Sequence, residues 1–195
     1  TSAGAAPKQI QTDKSVFINA KDSTVNLGTG NKIESSKNEV IAVYLNNGIS
    51  ATNKGTITLN GNKSVALYGE NGGALVNEKD ITVNTNGVAF YNKGATTATN
   101  RGANSKITLL GDYGIGMRSD TASGDSLNEG KIESAKLRAI GMSASNGSNA
   151  VTNSRTIELS GQESIGLHTD NKGTAGHAVT NTGTITLVDA NDKDK

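Results

Sequence analysis

The chain has 195 residues, with 19 basic and 18 acidic side chains for a net charge of +1, 24 Gly, one Pro, four Tyr, two Phe, and no Cys or Trp. That balance gives no electrostatic reason to expect nucleic acid or an anionic membrane as partner. The missing Cys excludes disulfides, thiol catalysis and Cys-based zinc sites. Apolar residues reach only 33%, against roughly 45–50% in average globular composition, so any core is narrow and regularly placed.

Residues 1–8, with the single Pro7, read as an irregular leader, and no signal-peptide h-region opens the chain. A repeat then occupies residues 9–188. Its clearest copies are NKGTITLNGNKSVALY (53–68), NSRTIELSGQESIGLH (153–168) and the shortened NTGTITL (181–187). An anchor falls at Ile10, Ile33, Ile57, Ile81, Ile107, Ile132, Ile157 and Ile185, spaced by 23 to 28 residues. A second apolar pair follows the six anchors from Ile33 to Ile157 by seven or eight residues: Ile41/Val43, Val65/Leu67, Val88/Phe90, Ile115/Met117, Ile140/Met142 and Ile165/Leu167. A third, weaker segment carries Val25, Ile49, Leu75, Leu127, Val151 and Val179. Each segment alternates apolar and polar, which marks a strand with one face buried. Gly and Asn clusters between segments supply corners with positive φ.

Three short strands in about 25 residues, repeated in one direction, predict an all-β fold: a right-handed, three-sheet parallel β-helix of about seven coils. Residues 189–195 read as a polar tail or truncation point. Equivalent positions stack, so Asn53, Asn77, Asn100, Asn128, Asn153 and Asn181 are expected to form an amide ladder.

The phrase Asn-x-Gly-x-Ile-x-Leu-x-Gly-x-x-Ser-(Ile/Val)-(Gly/Ala)-(Leu/Met) resembles the repeat of classical, type V autotransporter passengers. It looks most like the Asn/Gly-rich adhesins of the fusobacterial type. The match covers residues 31–187, with a looser copy over 9–30 and a weak one at 77–91, where Glu78, Lys79 and Asp80 replace the expected Gly. The resemblance implies display on the bacterial cell surface, anchored to the outer membrane or secreted, as a virulence-associated adhesin. The expected partner is a glycan or receptor protein on a host or bacterial cell. Any membrane contact is expected only through a C-terminal β-barrel that this stretch does not contain, and the rod is expected to be a monomer without cofactors or metals.

Candidate binding residues come from the second strand. Alternation places Ala42, Ala66, Ala89, Gly116, Gly141 and Gly166 outward, beside a column of Tyr44, Tyr68, Tyr91, Arg118, Ser143 and His168. Small residues flanked by stacked Tyr form a platform for a sugar ring or another chain, with Tyr44, Tyr68, Tyr91, Arg118 and His168 as the contact residues. Longer polar connections at 119–126, 144–150 and 169–176 are second candidates. Asp120 with Asp125, and Asp189, Asp192 and Asp194 in the tail, lack a calcium-loop pattern. His168 with His177 lacks a third ligand. Glu133 and Glu158 should stand one rung apart, roughly 4.8 Å, near the ~5–5.5 Å of a retaining glycosidase pair. No aromatic residues line that column, so the chain is not expected to be an enzyme. A stalk that only spaces a distal domain, and a polysaccharide-active enzyme, remain as alternatives.

Overall fold

The computed structural model describes residues 8–9, 11–121, 123–170 and 178–188. They build three parallel sheets of eight, seven and seven strands, in which each strand pairs with its equivalents one turn earlier and later. The chain visits the sheets in rotation, making a β-solenoid of about 7 turns with roughly 25 residues each. One turn runs Thr56–Leu59, Val65–Glu70, Ala74–Asn77, and the next Asp80–Val83, Val88–Lys93, Thr97–Asn100. No helix among the described residues is long and apolar enough to cross a membrane.

The first sheet follows the expected alternation. Ile33, Ile57, Ile81, Ile107, Ile132, Ile157 and Ile185 lie in one register column. All are buried except Ile185, which is partly buried in the last turn. Stacked β-branched side chains fill the narrow core efficiently, because each rests on an identical neighbour one strand away. The first strand corrects one anchor: Lys8, not residue 10, is paired with Ile33, and Ile10 itself lies outside the described residues.

The second sheet departs from the expectation at its entrance. Ala42, Ala66 and Ala89 are fully buried, not outward. Ile41, Val65, Val88, Ile115 and Ile140 are half-buried on the outer face, and Ile165 is 39% exposed. Two successive residues turn inward there, as in Ala42 and Val43, so the outward positions become 41, 44 and 46. Only small residues fit the first inward place because it abuts the isoleucine column of the first sheet. A Cβ on Gly116 would lie 2.9 Å from Ile132 Cγ2 and 2.5 Å from the Gly141 carbonyl oxygen, and one on Gly141 would meet Ile157 Cγ2 at 2.8 Å.

The third sheet corrects two further assignments. Ile49 is 70% exposed, while register aligns Ala51 with Leu75, Ala98, Ser126 and Val151 as the inward column. Leu127 therefore occupies the half-exposed outer side. The amide ladder forms as expected at the ends of these strands. Nδ2 of each Asn donates to Oδ1 of the next, at 2.8 Å for Asn53–Asn77, 2.9 Å for Asn77–Asn100, 2.8 Å for Asn100–Asn128, 2.7 Å for Asn128–Asn153 and 2.8 Å for Asn153–Asn181. Burial makes this pairing obligatory, since an orphaned buried amide costs about 1–3 kcal/mol. Leu27 holds the ladder position in the turn below Asn53, so the ladder starts there.

The corner between the first and second sheets is left-handed in every turn, yet no glycine supplies it. Lys14, Glu39, Lys63, Asn86, Tyr113, Arg138 and Glu163 all have φ between 50° and 59°. Backbone hydrogen bonds from one turn to the next, such as Lys63 N–H to Thr85 O at 2.9 Å, hold the strained residues in place.

Candidate functional site

The outer face of the second sheet carries three columns, and register fixes their members. The middle one contains Tyr44, Tyr68, Tyr91, Arg118, Ser143 and His168, which the structure brings together as the sequence predicts. The Tyr44 and Tyr68 rings lie 5.0 Å apart with a 42° tilt; Tyr68 and Tyr91 stack at 4.9 Å and 17°. The Arg118 guanidinium caps the stack 5.4 Å from the Tyr91 ring centre. Ser143 is buried and His168 half-buried.

Ring stacking turns the aromatic faces toward one another along the rod. The flanking strip of small residues is inside, as described above, so the outer surface is not the flat Ala/Gly platform that alternation predicts. Its neighbour on one side is instead the apolar column of Ile41, Val65, Val88, Ile115 and Ile140, extended by Val16 and Ile165 at 43% and 39% exposure.

On the other side runs a polar column that sequence reasoning missed: Lys21, Asn46, Glu70, Lys93, Asp120 and Ser145. Tyr44 donates its hydroxyl to Glu70 at 2.8 Å, Tyr91 donates to Asp120 at 2.8 Å, and the Lys93 ammonium reaches Glu70 at 3.1 Å. Burial first, and then the hydrogen bond to Glu70, push the Tyr44 phenol up to about 12. Burial and then Asp120 do the same to Tyr91, also to about 12. Tyr68 is raised by burial and then by the charge of Glu70. The carboxylates move the opposite way. Hydrogen bonds from Tyr44 and then Lys93 lower Glu70, and the Asn146 amide, ahead of Tyr91 and Arg118, lowers Asp120. The face is therefore an alternating charge network at neutral pH. A signal for it lay in the sequence, because positions two beyond each column-forming Tyr or Arg read Asn, Glu, Lys and Asp in successive turns.

The first sheet holds the carboxylate pair. Glu133 and Glu158 are adjacent in register and line an open groove of about 460 Å³ with Thr108, Leu110, Lys136 and Val188. The Lys131 ammonium bridges them, 3.1 Å from Glu133 and 2.6 Å from Glu158, and Lys106 approaches Glu133 at 3.2 Å. Burial pushes the Glu133 carboxyl up, but the hydrogen bonds from Lys131 and Lys106 outweigh it and the net displacement is downward. A carboxyl held this way is a poor proton donor near neutrality.

Of the longer connections, Ser119 and Ser126 are buried and bonded to each other at 2.7 Å, which removes them from solvent. Asp120 accepts from Asn146 at 2.8 Å and Asp125 from Asn149 at 2.7 Å, so each is tied to the 144–150 connection of the next turn. Most of the 169–176 connection, His177, Asp189, Asp192 and Asp194 lie outside the described residues. No group of three or more His, Asp or Glu side chains close enough to hold a metal ion occurs among the described residues.

The model of the family described as the BigA third pectate lyase-like domain matches residues 1–178. No curated protein and no solved structure gives a match.

Proposed function

The chain belongs to the BigA third pectate lyase-like domain family, and on that premise we propose that it is a rod segment of a bacterial surface adhesin of the autotransporter kind. In this reading a C-terminal β-barrel elsewhere in the protein anchors the rod to the outer membrane, and the rod contacts a glycan or receptor protein on a host or neighbouring cell. The observation that carries the reading is the outer face of the second sheet. Seven turns keep β-branched side chains half-exposed there beside a Tyr and Arg column. A rod that only spaces a distal domain needs polar, solvated faces, whereas exposed apolar stripes mark contact surfaces.

The test is adhesion of the purified chain to host and bacterial cells and to a glycan array, beside a Tyr44→Ser, Tyr68→Ser, Tyr91→Ser triple variant. Binding that falls at least tenfold in the folded variant supports the reading. Absent binding by the parent leaves the rod as a spacer, and unchanged binding by the folded variant places the contact away from the Tyr column.

A second reading follows from the groove at Glu133 and Glu158 and from the pectate lyase-like description of the family: activity on a polysaccharide. The lysine bridge between the two carboxylates argues against it, since it removes both the free base and the raised acid that glycoside hydrolysis uses. Product formation from polysaccharides by the parent, abolished in a Glu133→Gln, Glu158→Gln variant, would establish it.

A further inference from the structure

We propose that the outer face of the second sheet is an interface between two copies of this chain, packed face to face with their rods antiparallel. The inference deepens the reading of this face as a contact surface, by naming the partner. It replaces the monomer expected from sequence.

The order of charges along the face selects the arrangement. A two-fold axis lying in the face, across the rod, between the turns of Glu70 and Lys93, sets each column against its own copy running the other way. Glu70 then meets the partner copy's Lys93, and Lys93 meets its Glu70. Each carboxylate sits between two ammonium groups, its own at 3.1 Å and the other chain's. In the middle column, Tyr68 opposes Tyr91 and Tyr44 opposes Arg118, which repeats between copies the guanidinium–ring contact already present at Tyr91. In the third column, Val65 opposes Val88 and Ile41 opposes Ile115, so apolar atoms cover apolar atoms.

Other arrangements fail on the same residues. An axis along the rod would press the apolar column on the charged one. An axis through the Glu70 or the Lys93 turn would oppose like charges. Moving it one turn up keeps Lys93 against Asp120, but sets Tyr44 and Tyr68 against His168 and Ser143 and loses the aromatic match. A net charge of +1 adds no long-range repulsion between copies.

Six strands at ~4.8 Å spacing, each about six residues long, cover on the order of 500 Å² per copy. This is small beside the ~800 Å² per partner of a standard interface. Association is therefore weak for free chains and strengthened where many copies on one surface meet many on a facing surface, the arrangement in which rods anchored by the same end run antiparallel.

The experiment is sedimentation equilibrium of the chain over a wide concentration range, with Glu70→Lys and Lys93→Glu variants checked for folding by circular dichroism. The wild type is expected to dimerise, and each variant alone to associate at least tenfold more weakly. A mixture of the two variants regains wild-type affinity, because lysines 70 and 93 of one then face glutamates 70 and 93 of the other. Intrachain repair cannot produce that rescue, since neither variant changes on mixing. Should a charge variant not fold, oxidative crosslinking replaces it: a Lys21→Cys chain mixed with a Ser145→Cys chain forms a heterodimer that neither forms alone. The chain has no native Cys to confuse the result. A wild type that stays monomeric throughout, a mixture that does not recover, or crosslinking indifferent to the pairing overturns the proposal. Cell adhesion is not involved, so its loss would leave this result standing.

Discussion

The first and second sheets are made from the same repeat, yet one obeys simple alternation and the other does not. In the first, Ile107 and Leu109 face the core and Lys106 and Thr108 face solvent. In the second, Gly116 and Met117 both face inward, which moves Ile115 and Arg118 to the outside. The side-chain period is two, so one extra inward residue exchanges the faces of everything before it. The consequence is functional: the apolar column that looked like core becomes part of the exposed surface, and the small strip that looked like a platform becomes the wall of the core.

Mutations can break or sharpen this contrast. The largest expected effect is in the first sheet, where Ile107→Ala should cost about 2–5 kcal/mol as a buried truncation. Ile115→Ala, half-exposed in the second sheet, should cost less than about 1 kcal/mol, within the range of surface changes. Urea unfolding of the two variants measures the difference, and equal losses would contradict the assigned faces. Next, Ala66→Leu should cost about 1–3 kcal/mol by overpacking the corner, whereas an outward Ala66 would accept Leu with no loss. The same unfolding assay decides.

In the third sheet, Asn100→Ala should destabilise by about 1–3 kcal/mol, because it interrupts a buried amide chain. Asn77 and Asn128 retain backbone partners at Lys79 O and Gly130 N, which keeps the loss at the lower end. Hydrogen exchange should show faster opening of the turns on either side.

The smallest effect concerns the second sheet's outer network and appears only in alkali. The folded chain holds the Tyr44 and Tyr91 protons up to about pH 12, against 10.0 for the ordinary phenol. Between those values the unfolded chain binds fewer protons than the folded one, so stability falls as pH rises. Below pH 10 the contribution is complete. Tyr44→Phe and Tyr91→Phe together should flatten that slope, and ultraviolet titration of the phenols, undisturbed by Trp, should locate the late ionisations.

Legibility followed how many residues shared one physical demand. The Ile anchors from Ile33 onward, the Asn ladder, the outward Glu133/Glu158 column and the Tyr44, Tyr68, Tyr91, Arg118 and His168 column were all readable, because each position repeats the same requirement turn after turn. Ile49 misled because an apolar residue two positions before the true inward site, Ala51, and just outside the strand, outweighed a small one. The Glu70, Lys93 and Asp120 network went unseen because its members differ in type from turn to turn and are united only by register.

The sequence by itself determined the solenoid, its turn length and its stacked columns, since a 25-residue period with alternating short segments admits little else. Only the tertiary structure decided which columns face out in the second sheet. That choice depends on the Ile132 and Ile157 side chains, which leave no room for a Cβ at Gly116 and Gly141, and on corners where residues such as Lys63 and Arg138 are held at positive φ by the adjacent turn. Contacts between turns, absent from any local pattern, set both.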